Sequence, residues 1–273
     1  MPISTLRKAV WKYYREHGRH TLPWRKTHDP YKILVSEVML QQTQVDRVVP
    51  YFKAWMKEYP TVNALAAASL ARVLTSWQGL GYNRRAKMLH EAAKSVVREH
   101  GGKMPKTVEG LESLPGVGPY TARAVAAFAY NQDVVFIETN IRTVVIHHVF
   151  GDRTGITDAE IQVVLEKLLP QAKKGGTMRE WYAAFMDYGA HLKRTGVKLN
   201  SRSKGYAKQS TFEGSNRQIR GTILRALVNG PATQTVLDKL FSSERKEAVR
   251  AQLAKLEAEG LVEKKGRIFR LPI

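Results

Sequence analysis

Two glutamates sit where apolar residues would be expected, and their surroundings push them toward opposite protonation states. Glu37 lies inside YKILVSEVMLQQTQ, crowded by Ile33, Leu34, Val38, Met39 and Leu40. On a mostly buried helix, desolvation raises a carboxyl pKa and keeps the group able to donate a proton; on a polar stripe the same residue is merely solvated. Glu138 interrupts a second apolar run, FIETNIRTV, which continues as VIHHVF. Thr139 or Asn140 could cap a following helix with Glu138 near its positive end, or Glu138 is itself held anionic there as half of a catalytic pair. One carboxyl kept protonated and one kept ionised is the combination that cleaves glycosidic bonds through an oxocarbenium-like transition state. The chemistry implied by the pair is cleavage of an N-glycosidic bond.

Such a pair needs rigid elements to hold it. Residues 1 to about 192 are predicted to run helix after helix, with turn signals between and few strand-like alternations. Asp29 and Pro30 supply an N-cap and first turn for a helix over YKILVSEVMLQQT, and Gly101 with Gly102 stops the helix ending SVVREH. Between the two glutamates, LPGVGPYTA joins the short segment TVEGLES to an alanine-rich helix, YTARAVAAFAY. Gly116 and Gly118 beside Pro115 allow a tight turn whose amides can approach a phosphate at the positive end of that helix. An ordinary interhelical turn would look similar. The flanking Leu114, the threonine and the alanine-rich helix resemble the helix-hairpin-helix motif of DNA-binding proteins, a grip that reads backbone and not base.

Charge points the same way. The 273-residue chain carries 44 Lys and Arg against 24 Asp and Glu, a formal net charge of +20 that suits a polyanion partner. No stretch approaches the roughly 20 apolar residues of a spanning helix, and MPISTLRKAVWKYYREHGRH lacks a signal-peptide core, so a cytoplasmic protein is expected, nucleoid-associated in a bacterial or archaeal cell. With no cysteine there is no disulfide, thiol nucleophile or thiolate-held cluster. His147 and His148 are more in keeping with packing than with metal binding, since no third ligand has sensible spacing. No metal site is expected, although a monovalent cation on the hairpin carbonyls stays open.

Residues 193–215, KRTGVKLNSRSKGYAKQSTFEGS, are polar, lack helical periodicity and carry six Lys or Arg against one acid, which predicts a basic linker. From Asn216 three helical segments are followed by an apolar strand, the basic turn KKGR and a second strand, the pattern of a winged helix-turn-helix. Arg217, Arg220, Arg245, Lys246 and Arg250 could contact phosphates there or simply be solvated. Trp11, Trp55, Trp77 and Trp181 have apolar neighbours and are predicted core.

Taken in order, LPWR (22–25), DPYKILVSEVMLQQTQV (29–45), GLGYNRRAKMLHEAA (79–93), LPGVGPYTARAV (114–125), ETNIRTV (138–144) and FMDYGA (185–190) resemble the helix-hairpin-helix (HhH-GPD) DNA glycosylase superfamily, and within it the adenine-mismatch branch, MutY. The resemblance covers residues 1–192 and implies a mainly α, two-lobed fold with duplex DNA across the cleft and the target base flipped into a pocket. It makes Glu37 the acid that protonates the base and later assists water, and Glu138 the carboxylate that stabilises the sugar cation, supported by Tyr120 and Asn140. Gln41, Gln42 and Thr43, Gly81 and Tyr82, and Gly116, Val117, Gly118 and Thr121 fall on DNA-contacting positions, with Gln42 and Tyr82 wedging into the duplex. Trp24, Arg25 and Ala183 fall on the base pocket. Tyr120 stands where strand-nicking relatives carry a Schiff-base lysine, which implies a monofunctional enzyme that leaves an abasic site.

The chain departs from that branch at four places. Glu138 replaces an aspartate, the four cluster-binding cysteines are missing, Ala183 replaces the glutamine or glutamate that contacts adenine, and residues 216–273 do not have the pattern of the branch's nudix-like domain. The domain organisation expected is therefore 1–192 catalytic, 193–215 linker and 216–273 winged-helix-like, in a monomer acting on mismatched or damaged duplex DNA. Adenine opposite guanine or 8-oxoguanine is the first expectation for the excised base. Thymine or uracil opposite guanine is the enzymatic alternative, and a non-catalytic DNA-binding protein is the alternative of another class.

Overall fold

The computed structural model describes residues 3–172, 175–206 and 211–273. The chain falls into two compact units, each assembled from separate stretches. The first takes Met1–Glu37, Pro105–Ser113 and Val117–Lys208; the second takes Val38–Met104, Leu114–Gly116 and Gln209–Ile273. The mainly α expectation holds.

In the first unit, α1 (Ile3–His17), α8 (Pro119–Tyr130), α9 (Thr139–Val145), α10 (Asp158–Ala172) and α11 (Met178–Arg194) enclose one apolar core. Leu6, Val10, Ile141, Val144, Ile161 and Phe185 meet there, with Trp11 and Trp181 in contact at 5.5 Å between ring centroids. The hydrophobic face of α11 fills the middle of that core, and its first turn is fixed by a capping box of Thr177 and Glu180. Helix α2 (Pro30–Leu40) starts as predicted, Asp29 Oδ1 accepting from the Tyr31 amide at 2.9 Å. The short α7 (Val108–Glu112) leads into the hairpin and α8.

In the second unit, α3 (Val45–Glu58), α4 (Val62–Ala67), α5 (Leu70–Ser76) and α6 (Arg84–His100) surround Trp55 and Trp77, whose rings meet edge-on at 5.5 Å. Gly101, at φ +59°, ends α6 where the sequence placed the stop. The C-terminal residues join this unit: α12 (Asn216–Val228), β1 (Ala232–Thr233), α13 (Gln234–Asp238), α14 (Lys246–Ala258), β2 (Glu263–Lys265) and β3 (Ile268–Arg270). The strands form an antiparallel sheet in the order β1-β3-β2. Strand β1 is two residues long, too short for any alternation to reveal.

One sequence expectation needs correction. The helix expected through Thr43 stops at Leu40, because Gln42 turns to φ +56° and Arg85 draws off the carbonyls that another helical turn would use. The stretch expected as a basic linker, residues 193–215, carries hydrogen-bonded structure over residues 193–206. Helix α11 reaches Arg194, and beyond it Ile156 and Ser203 form a parallel bridge, the Ile156 amide donating to the Arg202 carbonyl at 3.1 Å. Thr143 Oγ1 donates to Asn200 Oδ1 at 3.1 Å, and Arg142, itself ion-paired with Asp158, donates to Ser203 Oγ at 2.7 Å. Residues 196–206 thus strap the end of α11 to α9 and α10. Their polar side chains disguise this, because the contacts are hydrogen bonds and carry no apolar period. Residues 207–210 lie outside the described part.

Candidate active site

Glu37 is 6% exposed, near the end of a helix on which Ile33, Leu34 and Val35 are buried as well. Burial is the main influence on its carboxyl and pushes the pKa up to about 7, with the nearby charge of Glu138 acting in the same direction and the Tyr120 hydrogen bond and Arg25 acting against it. The Tyr120 hydroxyl donates to Glu37 Oε2 at 3.0 Å. Burial and the two glutamates in turn hold the phenol well above its ordinary range, so Tyr120 stays a donor. Its ring is held edge-on by Phe136 at 5.6 Å, Phe136 stacks on Tyr182 at 4.0 Å, and the Tyr182 hydroxyl donates to the Val134 carbonyl at 2.5 Å. Phe136 and Tyr182 escaped the sequence reading because core aromatics carry no local signal of what they brace.

Glu138 is itself the N-cap of α9, the role that the sequence alone left open to Thr139 or Asn140. Its Oε2 accepts from the Asn140 amide at 2.6 Å and its Oε1 from Asn140 Nδ2 at 3.1 Å. The two donors fix the Glu138 carboxylate at the start of α9. Helix α11 can approach this point because residue 189 is glycine: a Cβ there would overlap the Asn140 carbonyl. Lys193 also lies within the field of Glu138; burial lowers its ammonium pKa and Glu138 works in the opposite direction. Glu37, Tyr120, Glu138 and Asn140, singled out from sequence, are all brought together in the first unit.

Behind them is a buried ion cluster. Asp187, 2% exposed, accepts from Arg25 Nη1 at 2.5 Å and Nη2 at 2.8 Å, and from Arg19 Nε at 2.6 Å and its amide at 2.8 Å. Burial works to raise its pKa, but the bonds and charges of Arg25 and Arg19 outweigh it and hold the carboxyl below its ordinary value. Arg25 Nη2 also donates to the Ala183 carbonyl at 3.3 Å. Arg179 donates to the carbonyls of Trp24 and Arg25 at 3.2 and 2.8 Å and to that of Phe128, tying the turn Pro23–Lys26 to α8. Of the predicted base-pocket residues, Arg25 is thus engaged with Asp187, and Trp24 and Ala183 are buried. The sequence signal for this cluster was an aspartate amid the apolar residues of WYAAFMDYGA.

The predicted DNA-contacting residues fall into two groups. Gln42 and Tyr82, both exposed, have left-handed backbones at φ +56° and +49°. Arg85 serves both turns, donating to the carbonyls of Val38 at 2.7 Å, Gln41 at 2.5 Å, Leu80 at 3.2 Å and Gly81 at 3.1 Å, and to Thr43 Oγ1 at 3.4 Å. This organising arginine was missed, since one basic residue in NRRAK looks like any other. At the hairpin, Gly116 takes φ +74° and a Cβ on it would overlap Met88, whereas a Cβ on Gly118 would meet no atom within 4 Å. Gly118 is exposed at the start of α8, a helix end with no side-chain cap. Val117 and Thr121 are buried, so their side chains face the core.

Among the described residues, no group of three or more His, Asp or Glu side chains could hold a metal ion. No helix of the described residues is long and apolar enough to cross a membrane.

A buried acid with a raised pKa, a capping carboxylate and a glycine hairpin on a helical frame define a class, and residues 35–171 match the HhH-GPD superfamily of base excision DNA repair proteins. The chain belongs to that family. Within it, the chain is similar to the adenine DNA glycosylase of Mycolicibacterium smegmatis, 38% identical over 281 residues that take in 96% of this chain and 94% of that one. The adenine DNA glycosylase of Mycobacterium tuberculosis is likewise 38% identical, over 95% of this chain and 90% of its own. Among solved structures, a thermostable thymine-DNA glycosylase shares the fold with a TM-score of 0.59 and 24% identity, covering 73% of this chain and 95% of that one.

Proposed function

We propose that the protein is a monofunctional DNA glycosylase that hydrolyses the N-glycosidic bond of adenine mispaired with guanine or 8-oxoguanine. The observation that carries this is the pairing of a buried Glu37, its pKa raised to about 7, with a Glu138 carboxylate fixed on the cap of α9. Glu37 gives its proton to a ring nitrogen of the flipped base as the bond from the sugar C1′ to the base breaks, the bonding pair leaving with the base. Glu138 stabilises the sugar cation. Water then adds to C1′ and returns its proton to Glu37, leaving a free base and an abasic site. Tyr120 holds Glu37 in place and supplies no amine for a Schiff base, which supports hydrolysis without strand nicking.

Amides at Gly116–Gly118 hold phosphate, while Gln42 and Tyr82 enter the duplex beside the target pair. The helix-strand-helix-helix-strand-strand order from Asn216, with sheet order β1-β3-β2, supports a winged-helix module after a catalytic part at 1–192. The protein works as a monomer on DNA, in the cytoplasm. Ala183, buried and without a polar group, favours a second reading, removal of thymine or uracil opposite guanine. Single-turnover assays on duplexes holding A:8-oxoG, A:G, T:G and U:G separate the two: base release confined to the pyrimidine mismatches would overturn adenine. Glu37→Gln abolishes release and leaves duplex binding nearly unchanged if the chain is an enzyme; an unchanged release rate would remove Glu37 from the chemistry.

A further inference from the structure

Tyr82 is an exposed aromatic in a left-handed backbone conformation, and two guanidinium groups lie over its ring. That of Arg85 is 5.5 Å from the ring centroid and that of Arg217 is 5.2 Å. Arg217 Nη1 also donates to the Tyr82 hydroxyl at 2.6 Å. Arg85 fixes the loop beneath the side chain through the Leu80 and Gly81 carbonyls; Arg217 fixes the tip of the ring. Arg217 comes from α12, 135 positions further along the chain.

The approach of α12 is built, not incidental. Ser215 caps the helix by accepting from the Gln218 amide, and Gly214 donates to the Gln218 side chain, which sets Arg217 in the first turn. Arg220, one turn on, pairs with Glu259 at 2.6 and 3.1 Å, and Lys87 of α6 donates to the Glu259 carbonyl. Helix α6 begins two residues after Tyr82. The Ala71 amide of α5 bonds the Pro272 carbonyl at 3.0 Å, closing the other end of the C-terminal segment onto the same unit.

We propose that Arg217 is the positioning residue for Tyr82, so that the C-terminal segment sets the orientation of the side chain that reads the mismatched pair. This rests on the reading that Tyr82 enters the duplex. A tyrosine already held in its bound orientation loses less freedom when it stacks against a base, and the gain falls on distorted DNA, which can admit the ring. Arg suits the task because one planar group both covers the ring and donates to the hydroxyl, which an ammonium cannot do in the same geometry.

The test is a double-mutant cycle on the full chain carrying Glu37→Gln, with dissociation constants measured at fixed salt for an A:G duplex and for the matched A:T duplex. Arg217→Ala weakens A:G binding about tenfold and A:T binding about twofold. Arg225→Ala, which removes an exposed charge from the same helix, weakens both by about twofold. Arg217→Ala added to Tyr82→Ala costs no more discrimination than Tyr82→Ala alone. Arg217→Lys, which keeps the charge, loses most of the discrimination and guards against misfolding of the alanine variant. Additive losses, equal losses on the two duplexes, or full discrimination in Arg217→Lys would each overturn the inference. With Glu37 intact, Arg217→Ala raises KM and leaves the single-turnover rate of the bound complex within about twofold. A wild type that releases no base from any mismatch would sink the glycosylase reading; the binding cycle, which needs no chemistry, would still decide the role of Arg217.

Discussion

The Tyr120 hydroxyl donates to Glu37 Oε2 across 3.0 Å, a hydrogen bond that lowers the pKa of an acid otherwise raised by burial. Tyr120→Phe removes it. The alkaline limb of the excision profile then moves upward from about pH 7, and the rate at neutral pH falls about tenfold as the carboxyl loses its orientation. A pH series of single-turnover rates checks both; an alkaline limb that stays in place would show that Glu37 does not set it.

Glu37 also taxes the fold. Its pKa rises from 4.5 in the unfolded chain to about 7 in the folded protein, so between those values the native state holds a proton that the unfolded chain releases. Stability that is complete below pH 4.5 is therefore lost as pH rises through 7, by about 3 kcal/mol. Glu37→Gln has no such loss. Urea melts at pH 4.5 and pH 8 should show the variant gaining on the wild type only at the higher pH.

The Glu138 cap can be separated from its chemistry. Glu138→Ala forfeits the bonds to the Asn140 amide and side chain, costing about 1 kcal/mol, and abolishes excision. Glu138→Asp keeps a competent cap, so its melting temperature stays near that of the wild type. Its carboxylate is drawn back by one methylene, and the excision rate falls about tenfold. Equal rates for Asp and Glu would mean that position along the side chain is immaterial.

Gly189→Ala drives a methyl group into the Asn140 carbonyl, where backbone and not a pliable side chain must yield. The expected cost is roughly 1–3 kcal/mol, with excision falling further than duplex affinity because Glu138 and Asn140 are displaced together. Thermal melts and parallel binding assays read the two effects.

Asp187→Asn leaves Arg19 and Arg25 facing a neutral amide in a buried place. Breaking a buried pair in this way costs about 3–5 kcal/mol. Raising the salt concentration should not restore the loss, as it would for an exposed pair; urea melts in low and high salt check this.

What the sequence by itself determined was whatever leaves a local mark. Helical periodicity, the Asp29–Pro30 start, the Gly101 stop, the glycines of the hairpin, and a carboxylate stranded among apolar residues at 37 each follow from neighbours within a turn or two. The order of the family motifs carried Glu37, Tyr120, Glu138 and Asn140 together. Tertiary structure alone decided that Glu138 caps α9, that α11 comes close enough for Gly189 to matter, and that residues 196–206 form a docked strap. It alone joined Arg85 to two turns and Arg217 to Tyr82. These depend on single hydrogen bonds and ion pairs between residues that are distant in the chain. A burial pattern repeats along an element and shows in its sequence, whereas a guanidinium that finds its partner across a hundred residues leaves no period to read.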